Sequence, residues 1–98
     1  IDYSGYPDCR PEFFRSAIET IKLGSKIATE HGVRIQVETP IIEMTKADIV
    51  RMALELDVPL DMTWSCYRGG ERPCGECDSC ILRARGFAEA GVPDPALG

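Results

Sequence analysis

Four of the five cysteines in this 98-residue chain fall within fifteen positions, as Cys66, Cys74, Cys77 and Cys80. They are spaced C-x7-C-x2-C-x2-C, and Pro73-Cys74-Gly75-Glu76-Cys77 has the form of a tight knuckle. Its glycine lets the backbone turn so that two sulfurs converge on one point. Cys77 and Cys80 are three apart, which puts both thiols on one side of a helical turn. Together the four make a tetrahedral thiolate shell of the kind Zn²⁺ favours, with no open position for catalysis. An iron–sulfur cluster also takes four thiolates, and the close C-x2-C-x2-C run keeps that alternative open. A disulfide framework needs an oxidising compartment, for which nothing in the sequence speaks. A redox C-x-x-C pair would not need the flanking Cys66 and Cys80.

The second chemistry-bearing stretch runs from Asp2 to Arg10. Asp2, Tyr3, Ser4, Tyr6, Asp8, Cys9 and Arg10 put six hydrogen-bonding or ionisable side chains and a thiol into nine positions. Arg10 beside a helix start would suit a carboxylate or phosphate. The plainer alternative is a capped loop, with Asp8 as N-cap and Arg10 solvated. Cys9 reads as a small hydrophobe rather than a nucleophile. His31, the only histidine, falls at a helix C-terminus and is expected to serve as a cap there. Trp64 is expected to pack over the metal site. Arg68, Arg72, Arg83 and Arg85 surround the cluster and are expected to offset the charge of the thiolates, to be solvated, or both.

Composition narrows the function classes. The formal charge is −5, and four thiolates on one Zn²⁺ would take it to about −7. Such an acidic chain is a poor match for a phosphate backbone, so no direct nucleic-acid partner is expected. No run reaches membrane-spanning length and no signal-peptide pattern is present, so no membrane partner is expected. Cysteines without a secretory signal fit a reducing cytoplasm. The length allows one domain with a modest core.

The elements that must position these residues follow from punctuation and periodicity. Gly5, Pro7 and Asp8 mark a loop. Pro11 and Glu12 suit a helix start, and Phe14, Ile18, Ile21 and Ala28, widened by Phe13, Ala17 and Ile27, form an apolar stripe. Gly24-Ser25 allows a kink or an early end, and Gly32 a left-handed cap. Residues 33–38 alternate with period two and read as a half-buried strand. Thr45-Lys46-Ala47-Asp48 matches a capping box, and Ile49, Met52, Ala53 and Leu56 are the expected buried face, closed by Asp57 and Pro59. A last helix is expected from about Cys77 to Ala90, with Gly91 as its cap and Asp94–Gly98 as an exposed end. A lone strand cannot satisfy its own backbone groups. Together with the initial Ile1, this leads us to expect a portion of a larger protein.

The two motifs together resemble the 7-cyano-7-deazaguanine synthase family. The resemblance rests on Asp2-Tyr3-Ser4-Gly5-Tyr6-Pro7-Asp8-Cys9-Arg10-Pro11-Glu12-Phe13 and on Thr63 through Cys80. Thr39-Pro40, Thr45–Val50 and Gly86-Phe87 to Pro95 match in order. It implies an α/β fold, the C-terminal part of a doubly wound Rossmann-like PP-loop ATP-pyrophosphatase domain with a four-cysteine zinc-binding loop. Residues 1–10 would be a substrate-side loop, 11–63 a helix-strand-helix segment, and 64–98 the zinc loop and C-terminal helix.

The implied reaction is ATP-dependent conversion of 7-carboxy-7-deazaguanine and ammonia to 7-cyano-7-deazaguanine, with Mg²⁺ accompanying ATP. The family's Ser-Gly-Gly-x-Asp-Ser phosphate loop is not among these residues. The N-terminal ATP-binding half is therefore expected to lie elsewhere, and these residues alone are expected to be inactive. By resemblance, Cys66, Cys74, Cys77 and Cys80 are the zinc ligands, while Asp2, Tyr3, Ser4, Asp8 and Arg10 belong to the substrate side. No catalytic residue is assigned, and a homodimer is implied. A non-catalytic zinc module and a PP-loop tRNA-modifying enzyme with an iron–sulfur site are the alternatives.

Overall fold

The structure is a computed structural model, and it describes residues 5–97. Two compact units are present, one formed by residues 5–43 and one by residues 44–97.

The first unit is helical. A 3-10 turn at Pro7–Cys9 leads into α1, Pro11–Gly24, whose first position is a proline that sacrifices no intrahelical hydrogen bond. Ser25 is extended (φ −99°, ψ 122°), so α1 ends at the Gly24-Ser25 pair and a short α2, Lys26–His31, begins after it. Gly32 closes α2 at φ 65°, the left-handed cap expected there. Phe13 and Phe14 meet edge to face with ring centroids 5.5 Å apart. Their helix nevertheless has no fully buried residue.

Residues 33–38 do not form a strand, and there is no β-strand among the described residues. The expectation of a strand is therefore corrected. The alternation is still visible in burial: Ile35 and Val37 are half-buried, and Arg34, Gln36 and Glu38 are exposed. A period-two pattern prepares a segment for pairing, but only a neighbouring strand can supply the ladder.

The second unit is built on α3, Lys46–Glu55, packed against α4, Asp78–Ala90. The capping box at the start of α3 is complete. The Asp48 amide donates to Thr45 Oγ1 at 3.1 Å, and the Thr45 amide donates to Asp48 Oδ2 at 3.0 Å. The Thr45 amide, first among several causes, holds the Asp48 carboxyl below the usual carboxylate value. α3 closes with the Val58 amide on the Ala53 carbonyl and the Asp57 amide on that of Leu54, Asp57 taking φ 56°.

The buried face of α3 differs from the one its periodicity suggests. Ala47 and Val50 are buried, while Met52 and Leu56 are exposed. The stripe at Ile49, Met52, Ala53 and Leu56 is the more apolar, but α4 approaches the side carrying Ala47 and Val50. Its approach is set by Gly86, which lies directly against Lys46. Phe87, next to it, is the largest side chain in the small core of Ala47, Val50, Cys66, Cys80 and Phe87, and its burial is worth about 1.5–3 kcal/mol.

The C-terminal segment is a second correction. Gly91 caps α4 at φ 77°, and the Val92 amide reaches back to the Phe87 carbonyl at 3.2 Å. The chain thus reverses, and Asp94, expected in an exposed end, has a side chain only 5 % exposed and paired with Arg83. No helix among the described residues is long and apolar enough to cross a membrane.

Candidate metal centre

The sulfurs of Cys66, Cys74, Cys77 and Cys80 all lie within 4.8 Å of one another. Cys74 and Cys80 are 3.9 Å apart, and Cys66 and Cys77 4.0 Å. Four sulfurs placed about 2.3 Å from a single central ion would be about 3.8 Å apart along each edge of the tetrahedron. The donor set and its spacing therefore fit one metal ion. All four cysteines are free of disulfide bonds.

Two backbone knuckles and a helix start build this arrangement. The Cys66 sulfur accepts from the amides of Arg68 (3.4 Å) and Cys74 (3.3 Å). The Cys74 sulfur accepts from those of Glu76 (3.3 Å) and Cys77 (3.2 Å), with Gly75 between them at φ 74°. A residue with a β-carbon is strained at that φ, so glycine is what permits the turn. Cys77 is the N-cap of α4 and Cys80 sits in its first turn.

These contacts set the ionisation of the thiols. The backbone of Cys74, then that of Arg68, pulls Cys66 below its ordinary value. The Tyr67 backbone, then that of Cys80, brings Cys77 down to about 6, so its thiolate is populated at neutral pH. The Gly75 backbone also favours the Cys80 thiolate, but burial and the neighbouring thiols outweigh it and push Cys80 up to about 11. Four mutually close thiols cannot all ionise cheaply without a cation among them.

The surrounding side chains take roles the sequence left open. Trp64 does not sit buried over the sulfurs; half its surface is exposed, and its Nε1 donates to the Cys66 carbonyl at 2.8 Å. Arg68 pairs with Glu76 at 2.8 Å across the loop. Arg83 is largely shielded from solvent, and its charge is matched by Asp94. It forms a two-point ion pair with Asp94, with Nε to Oδ2 at 2.5 Å and Nη2 to Oδ1 at 2.9 Å. It also donates to Ser65 Oγ at 3.1 Å and Thr63 Oγ1 at 2.9 Å, and lies over the Phe87 ring. Sequence reading missed Ser65, Ser79 and Asp94. One clue was available: Arg83 follows Cys80 by three positions and so occupies the same helix face.

Of the residues expected on the substrate side, Asp2, Tyr3 and Ser4 lie outside the described residues. Asp8 is in the 3-10 turn and exposed, so it is not the N-cap of α1. Arg10 holds that N-cap position through its backbone, without a side-chain cap bond, and its guanidinium donates to the Gly5 carbonyl at 3.4 Å. Cys9 is exposed, with its thiol 4.0 Å from Asp8 Oδ1, which corrects its reading as a buried small hydrophobe. His31 ends α2 as the basic residue of its last turn.

The sequence profile of a protein family, queuosine biosynthesis protein QueC, matches residues 1–91. The chain belongs to the QueC family. Its relatives include the 7-cyano-7-deazaguanine synthase of Thermoplasma acidophilum, 58% identical over 95 residues that make up 97% of this chain and 39% of that protein. The protein of the same name from Acetivibrio thermocellus is 51% identical over 94 residues, covering 96% of this chain and 42% of that protein. The chain therefore spans about two fifths of the length of the curated relatives it matches. The match takes in the whole C-x7-C-x2-C-x2-C stretch of this QueC-family chain, together with the sequence from Asp2 to Arg10.

Proposed function

We propose that this chain is part of a 7-cyano-7-deazaguanine synthase, an ATP-dependent carbon–nitrogen ligase. It would act on 7-carboxy-7-deazaguanine, ammonia and ATP with Mg²⁺, within a PP-loop ATP-pyrophosphatase fold. The observation carrying this reading is the 58% identity, over 97% of the chain, to a protein bearing that name. The chemistry is consistent with such a substrate. A carboxylate is a poor electrophile, and adenylation by ATP, releasing pyrophosphate, gives it a leaving group. Ammonia displaces AMP to form the amide. A second adenylation on the amide oxygen lets that oxygen depart with AMP, and loss of the nitrogen's protons leaves the nitrile. Charge developing on the acyl oxygen and phosphate calls for preorganised donors. Arg10 is our candidate for the substrate carboxylate or a phosphate. Asp2 or Asp8 is the candidate for the guanine-like edge, with Tyr3 and Ser4 beside them.

We assign Zn²⁺ to Cys66, Cys74, Cys77 and Cys80. Bound there, it would supply a structural cross-link rather than a Lewis acid, since four sulfurs complete its shell. The separations of 3.9 and 4.0 Å support a single ion over a cluster, whose irons would spread the same four sulfurs further apart. We further propose a cytoplasmic homodimer.

The test is the full-length protein, zinc-replete, given ATP, ammonia and 7-carboxy-7-deazaguanine. ATP-dependent appearance of the nitrile is expected, with one zinc per chain by elemental analysis. No nitrile from zinc-replete protein would favour a non-catalytic zinc module. Iron in place of zinc would favour the tRNA-modifying alternative.

A further inference from the structure

Cys66 and Cys80 are the two buried sulfurs of the site, and each is preceded by a serine. These serines are joined: Ser79 Oγ donates to the Ser65 carbonyl. Ser65 is held a second time, by Arg83 Nη1 on its hydroxyl at 3.1 Å. Arg83 stands one helical turn beyond Cys80 on the same face of α4 and has no freedom of its own. Its two-point pair with Asp94 fixes the guanidinium plane. The Asp94 carboxylate is locked in turn by the Ala96 amide at 3.0 Å. Arg83 Nη2 also donates to Thr63 Oγ1, whose hydroxyl donates to the Leu60 carbonyl at 2.6 Å. The segment leading to Cys66 is thus tied to the helix carrying Cys80 at residues 63 and 65. Cys74 and Cys77, by contrast, are placed by the knuckle itself.

We propose that Arg83 is a positioning residue for the four-sulfur site, acting through Ser65 and oriented by Asp94. It sets the separation of the Cys66 and Cys80 sulfurs, so retention of the metal depends on a carboxylate fourteen residues beyond the last ligand. A polar joint suits this task because a planar guanidinium donates in fixed directions to several acceptors at once, which neither an apolar contact nor a lysine can reproduce. Groups outside the ligand shell commonly change metal affinity by about 10–100-fold when removed.

The inference rests on the metal assignment above, and the experiment separates the two. Full-length wild type is loaded with Zn²⁺, and release to an excess of chelator is timed. The Co²⁺-substituted protein is examined in parallel for its sulfur-to-metal and ligand-field bands. Wild type that holds no stoichiometric metal refutes the metal assignment itself. Given a metal-holding wild type, Ser65→Ala, which leaves the Arg83–Asp94 pair intact, is expected to release metal about tenfold faster and to shift the Co²⁺ bands. Arg83→Lys is expected to do the same despite keeping the charge. Thr45→Ala, which removes the α3 cap bond away from the joint, should release at the wild-type rate with unchanged bands. Wild-type release and spectra in both Ser65→Ala and Arg83→Lys would overturn the proposal, as would equal acceleration in Thr45→Ala.

Discussion

Gly86 lies so close to Lys46 that a β-carbon built on the glycine would come within 2.6 Å of the Lys46 Cβ. This crossing point brings α4 onto Ala47 and Val50, and with it the helix that carries Cys80.

Gly86→Ala therefore sets two effects against each other. Alanine favours a helix over glycine by about 1 kcal/mol, while overpacking a close crossing costs about 1–3 kcal/mol. The obstructing atom is a Cβ rather than the end of a flexible side chain, so the clash is expected to win. Thermal unfolding of the full-length protein should show a Tm several degrees lower. An unchanged or higher Tm would mean that the helices separate freely.

Asp94 predicts an acid-sensitive element of stability. Burial would raise its pKa, but Arg83 and the Ala96 amide outweigh burial and hold it below the ordinary 3.8. A carboxyl with a depressed folded-state pKa contributes stability above its unfolded value and loses it as pH falls through the folded one. Asp94→Asn should cost about 3 kcal/mol at pH 7 by leaving a largely shielded guanidinium without its counter-charge. Its difference from wild type should shrink below pH 4. Denaturant unfolding of both proteins at neutral and acid pH checks this, and a pH-independent difference would argue against the pair.

Cys77→Ser removes the thiol whose pKa is brought down to about 6. Because the second unit has so small a core, metal and folding should be lost together. Zinc content and Tm are both expected to fall, and a chelator should reproduce the loss of Tm in wild type. Full zinc retention with wild-type stability would exclude a four-thiolate site.

Arg10→Ala tests the other stretch. The side chain is exposed and makes one long hydrogen bond to the Gly5 carbonyl, so stability should change by less than about 0.5 kcal/mol. If the guanidinium meets a substrate anion, kcat/KM of the full-length enzyme should fall at least about tenfold, the worth of one charge-assisted hydrogen bond. Unchanged kinetics would remove Arg10 from the binding site.

Much of this protein is decided locally and can be read without coordinates. Thr45 and Asp48 cap α3 because a hydroxyl and a carboxylate three positions apart reach the same orphan amides in any context. Gly32, Gly75 and Gly91 occur where the backbone must enter the left-handed region, which other residues resist. The Cys74–Cys77–Cys80 part of the cluster is legible for the same reason, since a knuckle and a helix start place these three sulfurs over a few residues. What sequence could not decide depends on partners distant along the chain. The alternation at 33–38 describes a surface without naming a neighbour to pair with. The apolar stripe of α3 does not say which side α4 will cover, because one glycine against Lys46 determined the approach. Arg83, Ser65 and Asp94 look like ordinary surface residues when read singly. Only the chain reversal at Gly91 makes them one joint, since a buried charge is tolerated only where its counter-charge has been folded against it.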